Sequence, residues 1–347
     1  MNSNCSTAKE LSESYIYKPL LGFKITVNSI GLALLLFCYR KSVKSRKFSA
    51  LHSNVRLALH LHAYYVSHVI VFITLVNLID FIRLLPNHED HCQYMLPFWL
   101  TYLVRQTYMF GLLGQTLTYV YLSIERLMAT FLKGYEHNTS KLFFALFNLI
   151  SIVVLFLYAY VWCGYDANWS ELTYSFTQKN EQNDHRLKSF VWFIIGCESF
   201  SMILYNLTYF LNSRGKNKIR LQEKRISQIN KTLTEKYQID ENRRVVILLL
   251  PMCWCHFALY MMVYISYLVF SHLYELDDVL AEVVTEGLGL FTALYAYVLS
   301  YRIIMYFVWN RKRANSNAHE TTSDYFMQMN QLFKATPRHP KNGKKKT

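Results

Sequence analysis

Four charged side chains stand inside apolar runs where charge is costly. Arg105, Glu198 and Glu286 each lie about 9 to 15 Å, at helical rise, below one end of such a run, with Glu282 one helical turn above Glu286. An intramembrane charge is expensive and by default marks a functional site. Opposite charges at one depth on neighbouring helices can offset one another's desolvation. Two readings of the trio stay open: a structural ion pair between helices, and a ligand pocket lined by the same charges. A second constellation, Glu125-Arg126, sits where an apolar run gives way to polar chain, and an acid followed by Arg there suits a membrane-surface interface.

The elements that must position these residues are long apolar segments. A membrane helix needs about 20 mostly apolar residues. Seven segments qualify: Leu20 to Tyr39, Leu57 to Ile82, Leu96 to Phe131, Leu142 to Gly164, Ser189 to Asn212, Val245 to Phe270 and Ala281 to Phe307. The third carries Arg105 and ends on Glu125-Arg126, and the other six are arranged around it. Only helices satisfy the backbone of spans this long, and a β-barrel would show short alternating strands instead. The fold class is therefore an all-α membrane protein, a seven-transmembrane-helix bundle. Residues 1–19 form a polar N-terminus without the pattern of a cleavable signal peptide, 20–309 the membrane domain and 310–347 a basic tail. In the long fifth-to-sixth connection, Ile226, Ile229, Leu233 and Tyr237 fall at helical spacing, which predicts helical extensions of both spans.

Of the 347 residues 52% are hydrophobic, and the formal charge is +14. The basic residues lie between and after the apolar runs, and that placement excludes a nucleic-acid partner and names the lipid bilayer instead. With the N-terminus outside, cytoplasmic segments hold 28 Lys and Arg and outer segments 6, while Lys24, Arg105 and Arg302 fall within spans. By the positive-inside rule this predicts an N-terminus outside and a C-terminus inside.

Aromatic residues on the charged spans, among them Tyr102 and Tyr264, suit an apolar pocket with a few polar anchors. Packing explains such a stripe equally well. His256 with Cys253 and Cys255 lacks the ligand spacing of a zinc site, and no cofactor or metal is expected. Pro251 in the sixth span is a kink candidate. Of the cysteines, Cys5, Cys92 and Cys163 fall on the outer side, where disulfides persist. Sequons at Asn4 and Asn168 face the same side and are candidate glycosylation sites.

Seven spans, the IERLMATF run at the end of the third (Ile124 to Phe131) and LTEKYQIDENRRVVILLLP before and into the sixth (Leu233 to Pro251) resemble the nematode serpentine chemoreceptors of the Sra group, of Sra or Srab type, related to Srb and Sre. The resemblance covers nearly the whole chain, with KYQIDEN (Lys236 to Asn242) its most specific part. It implies a G-protein-coupled chemosensory receptor of the cell membrane, on chemosensory neurons, that binds an environmental small molecule and signals to a heterotrimeric G protein. Coupling then falls to Glu125, Arg126, Arg243 and Arg244, and ligand binding to Arg105, Glu198, Glu286, Tyr102 and Tyr264. A bridge from Cys92 to Cys163, tying the top of the third span to the second outer loop, is expected. Against the wider rhodopsin-like class the chain departs twice: Glu125-Arg126-Leu127 lacks the aromatic of Asp-Arg-Tyr, and span seven has no proline, so no Asn-Pro-Tyr hinge carries over. No enzyme chemistry is visible, and a retinal pump would need a lysine in span seven that is absent there. A seven-span ligand-gated channel or transporter is the alternative.

Overall fold

A computed structural model of the chain describes residues 2–49, 51–86, 88, 90–132, 141–176, 182–225, 233–270 and 278–309. The basic tail, Ile226 and Ile229 lie outside the described residues. Among the described residues ten α-helices follow in order: α1 (Asn2–Glu13), α2 (Tyr17–Val43), α3 (Arg46–Ser49), α4 (Ser53–Arg83), α5 (Phe98–Phe131), α6 (Lys141–Gly164), α7 (Asp184–Arg225), α8 (Leu233–Phe270), α9 (Asp278–Leu288) and α10 (Leu290–Ile304), the last running into a π-helical turn, Met305–Trp309. Among the described residues six spans are long and apolar enough to cross a membrane: α2, α4, α6, α7, α8, and α9 with α10 counted together.

The seventh is α5, whose 34 residues include Arg105, Gln106, Gln115 and the Glu125-Arg126 pair. That polarity is tolerable because α5 is enclosed: it packs against α4, α6, α7 and α8, and Gln106, Gln115, Thr116, Glu125 and Arg126 are all buried. The opposite surface of the bundle is apolar, with Phe23, Val154, Trp192, Ile203 and Met262 exposed. In water such a surface would aggregate, whereas lipid solvates it, so burial is inverted relative to a soluble domain.

The spans extend as the spacing in the fifth-to-sixth connection predicts: α7 continues to Arg225 and α8 begins at Leu233, well before the apolar run. Pro251 lies inside α8. The seventh span is interrupted without a proline. At Gly289 the backbone N–H bonds to both Thr285 and Glu286 carbonyls, and α10 restarts at Leu290.

One end of the bundle carries an unexpected layer. The N-terminal segment folds as α1, and Ala8 and Leu11 pack with Tyr17, Leu21, Leu84 and Tyr94 in a small core of their own. A disulfide joins Cys5 to Cys92, with Cα atoms 4.9 Å apart. The expected Cys92–Cys163 bridge is therefore incorrect: Cys163 is a free thiol buried at the end of α6. The reason is the fold of α1, which brings Cys5 onto the short 3-10 turn His91–Tyr94. The tie between α5 and the following loop is made by backbone instead. Strands β1 (Leu96–Pro97) and β2 (Leu172–Thr173) pair antiparallel, and Phe98 N–H donates to the Glu171 carbonyl at 2.9 Å.

Candidate functional site

Glu286 is the centre of the charged cluster near the disulfide end. Its Oε1 accepts from Arg105 Nη2 at 2.6 Å, and its Oε2 is held by Lys24 Nζ. One carboxylate from α9 thus binds one cation from α5 and another from α2, with side chains only 16% (Arg105), 4% (Glu286) and 1% (Lys24) exposed. Arg105 Nε also donates to the Phe176 carbonyl at 2.7 Å, anchoring the loop beyond β2. Around this trio, Asp80 on α4 pairs with Arg83 at 2.6 Å and Glu282 adds its field to Lys24 and Arg105. Arg83 in turn donates to the carbonyls of Tyr94 and Tyr174. Three basic side chains (Lys24, Arg83, Arg105) and three acidic ones (Asp80, Glu282, Glu286) meet in one low-dielectric layer, so its formal charges balance.

A cavity of about 170 Å³ opens against this layer. Arg105, Glu282 and Glu286 form its charged wall, while Tyr108, Leu112, Phe190, Val263 and Tyr264 contribute to an otherwise largely apolar one. Tyr264 is where sequence reasoning places it. Tyr102 is not: its hydroxyl donates to the Tyr160 carbonyl at 2.8 Å and its ring meets Trp169 at 5.0 Å, on the α6 side of α5.

Glu198 also departs from expectation, since it is not at the depth of Arg105. Helix α7 starts at Asp184, five residues before the apolar run, which puts Glu198 about 21 Å along its helix against about 10 Å for Arg105. Glu198 belongs to a second buried cluster. Thr116 Oγ1 donates to its Oε1 at 2.6 Å and His256 Nδ1 sits 3.2 Å from its Oε2. His256 stacks on Tyr260 with centroids 4.1 Å apart. Tyr260 donates to Gln115 at 2.8 Å, and His62 and Tyr119 each bond the Tyr295 hydroxyl at 2.6 Å. The column His256, Tyr260, Tyr264 at spacing i, i+4, i+8 leads along α8 from this cluster to the cavity. That spacing is visible in the sequence and was the signal to follow.

At the opposite end Arg126 is wholly buried and makes a two-pronged pair with the adjoining Glu125. Its Nη1 donates to Asn242 Oδ1 at 3.4 Å. Asn242 Nδ2 donates to Thr130 Oγ1 at 2.7 Å, and Asn212 Nδ2 reaches the same oxygen at 3.2 Å. His52 Nδ1 lies 3.7 Å from Glu125 Oε1. The end of α5 is thus clamped to α7 and α8 by two asparagines. Arg243 and Arg244, assigned to this end, are half-buried and exposed respectively, and the residue of that turn which contacts Arg126 is Asn242. On the disulfide end, Asn168 stands exposed, its Oδ1 accepting from Ser170. The side chain of Asn4 lies outside the described residues.

A seven-helix membrane bundle, with a charge-lined cavity near one end and a buried Glu-Arg pair at the other, has the architecture of a serpentine receptor. The chain matches the family of serpentine type 7TM GPCR receptor class ab chemoreceptors over residues 2–335. It belongs to that family, which is a chemoreceptor family and not an enzyme family. No curated protein matches it.

Proposed function

We propose that this protein is a G-protein-coupled chemosensory receptor of the cell membrane of chemosensory neurons. In this reading the disulfide end faces outside, and an environmental small molecule enters the cavity beside Arg105, Glu286 and Tyr264. A heterotrimeric G protein docks at the end formed by Glu125, Arg126, Arg243 and Arg244. The observation that carries the reading is the placement of cavity and clamp on one helix. Arg105 and Arg126 are separated by about 32 Å of α5, so both sites share an element that spans the membrane. The Lys and Arg distribution supports the orientation, and so does a disulfide at the N-terminal end, which suits an oxidising compartment. Asn168, exposed at that end, is the acceptor for glycosylation.

The test is a calcium or second-messenger readout in cells expressing the chain, challenged with a broad chemical panel. Tags at Met1 and Thr347 should be reached from outside and inside respectively. Arg126→Ala should lose the response at unchanged surface level. A response that persists in that variant, or an N-terminal tag seen only after permeabilisation, overturns the reading.

A further inference from the structure

The cavity's hydrogen-bonding inventory is lopsided. Both carboxylate oxygens of Glu286 are taken, one by Lys24 and one by Arg105. The Phe176 carbonyl is taken by Arg105 Nε, and Glu282 and Thr285 are engaged as well. The Glu286 and Phe176 acceptors thus each already take a donor, and the Tyr264 hydroxyl, buried in the same wall without a partner, adds an O–H that can donate. Arg105 is different, because a guanidinium has five N–H donors and Nε and Nη2 account for two. At 16% exposure it is also the most accessible member of the Lys24–Glu286–Arg105 trio. What the wall offers a ligand is a donor edge.

Charge sets the second condition. The formal charges of the layer's six groups balance, and the rest of the wall is mainly apolar, from Leu112 on α5, Phe190 on α7 and Val263 on α8. An ionised ligand would bring one uncompensated charge into this surrounding, where little solvent screens it. A molecule with no acceptor would leave the guanidinium edge desolvated without a partner.

We propose that the cavity selects neutral, mostly apolar molecules bearing one strong hydrogen-bond acceptor, of the ketone or ester class, with the carbonyl oxygen on the free edge of Arg105. This inference rests on the receptor reading only in taking the cavity as the ligand site.

The experiment uses the purified full chain in detergent and reads its thermal midpoint with four probes matched in heavy-atom count: methyl butyl ketone, pentanoic acid, hexylamine and heptane. The ketone should raise the midpoint most, heptane weakly, and the anionic acid and cationic amine least. Arg105→Lys keeps the charge but loses the planar fork, and should weaken the ketone's apparent affinity about three- to tenfold, the range of one hydrogen bond, while leaving heptane unchanged. Leu112→Phe, which adds bulk to the cavity wall, should reduce the shift with every probe. A larger shift with acid or amine than with ketone overturns the ligand class and leaves the receptor reading intact. No shift with any probe, or a ketone shift undiminished in Leu112→Phe, overturns the placement in this cavity. A cellular response that is nevertheless lost in Arg126→Ala would then show the receptor reading standing alone.

Discussion

Replacing Glu286 by Gln should be the most damaging single neutralisation in the disulfide-end layer, and the ranking follows from how the charges share partners. Glu286 is bonded to Lys24 and to Arg105 at once. Removing it strands two buried cations, and breaking a buried pair by deleting one partner costs about 3 to 5 kcal/mol. Arg105→Gln is milder, because Glu286 keeps Lys24. The loss is then on the scale of a charged hydrogen bond, about 1.5 to 3 kcal/mol. Lys24→Gln should resemble it, since Glu286 keeps Arg105. The double variant Lys24→Gln/Arg105→Gln strands the carboxylate and should fall back to the severity of Glu286→Gln. A native domain is stable by only about 5 to 15 kcal/mol, so the severe variants should lose most of their surface population while the mild ones keep much of theirs. Flow cytometry on an N-terminal tag, paired with thermal midpoints in detergent, reads both. Arg105→Gln proving as damaging as Glu286→Gln would refute the shared-carboxylate account, because each cation would then depend on a partner of its own.

The disulfide correction makes a simple contrast: Cys5→Ser and Cys92→Ser should lower the thermal midpoint alike, by a cost of about 2 to 5 kcal/mol, and reductant should do the same to the native chain. Cys163→Ser should leave the reductant response unchanged. Asn242→Ala leaves Arg126, Thr130 and Asn212 without their shared amide, so ligand-independent signalling should rise above that of the native receptor in a second-messenger assay; basal signalling at or below the native level would count against the clamp. Glu198→Leu removes the acceptor that Thr116 and His256 share, and should lower the thermal midpoint in detergent by a cost of about 1 to 3 kcal/mol, whereas an unchanged midpoint would count against the cluster.

The seven spans and the Arg105–Glu286 pair were legible in the sequence because hydropathy and helical rise are both local quantities. Glu198 was misplaced for the same reason. Its depth was counted from the start of an apolar run, but Asp184 to Lys188 extend the helix with mostly polar residues that a hydropathy pattern leaves out. Lys24 was visible as an in-span charge, yet nothing local says that α2 brings it to the carboxylate already claimed by Arg105. Asn242 was hidden beside Arg243 and Arg244, where formal charge drew attention from the uncharged side chain that turns inward. The Cys5 partner depended on α1 folding back, a tertiary event signalled only by the apolar pair Ala8 and Leu11 in a polar segment.

The contact between α4 and α5 has no room in it. At Gly111 an added Cβ would stand 2.6 Å from Val69 Cγ2, and at Gly114 it would stand 2.5 Å from the Tyr65 ring. Such small residues let two membrane helices approach closely, and Gln115 adds a bond from its amide to the Tyr65 carbonyl at 3.3 Å. On the other flank, among the described residues, the Glu125-Arg126 end of α5 meets α7 and α8 through the Asn212, Asn242 and Thr130 side chains, which exchange partners far more easily than interlocked backbones do. Turning α5 against α4 would press Val69 and Tyr65 into its backbone, so these two helices should move as one rigid piece, while rearrangement at the Glu125-Arg126 end needs only an exchange of side-chain hydrogen bonds.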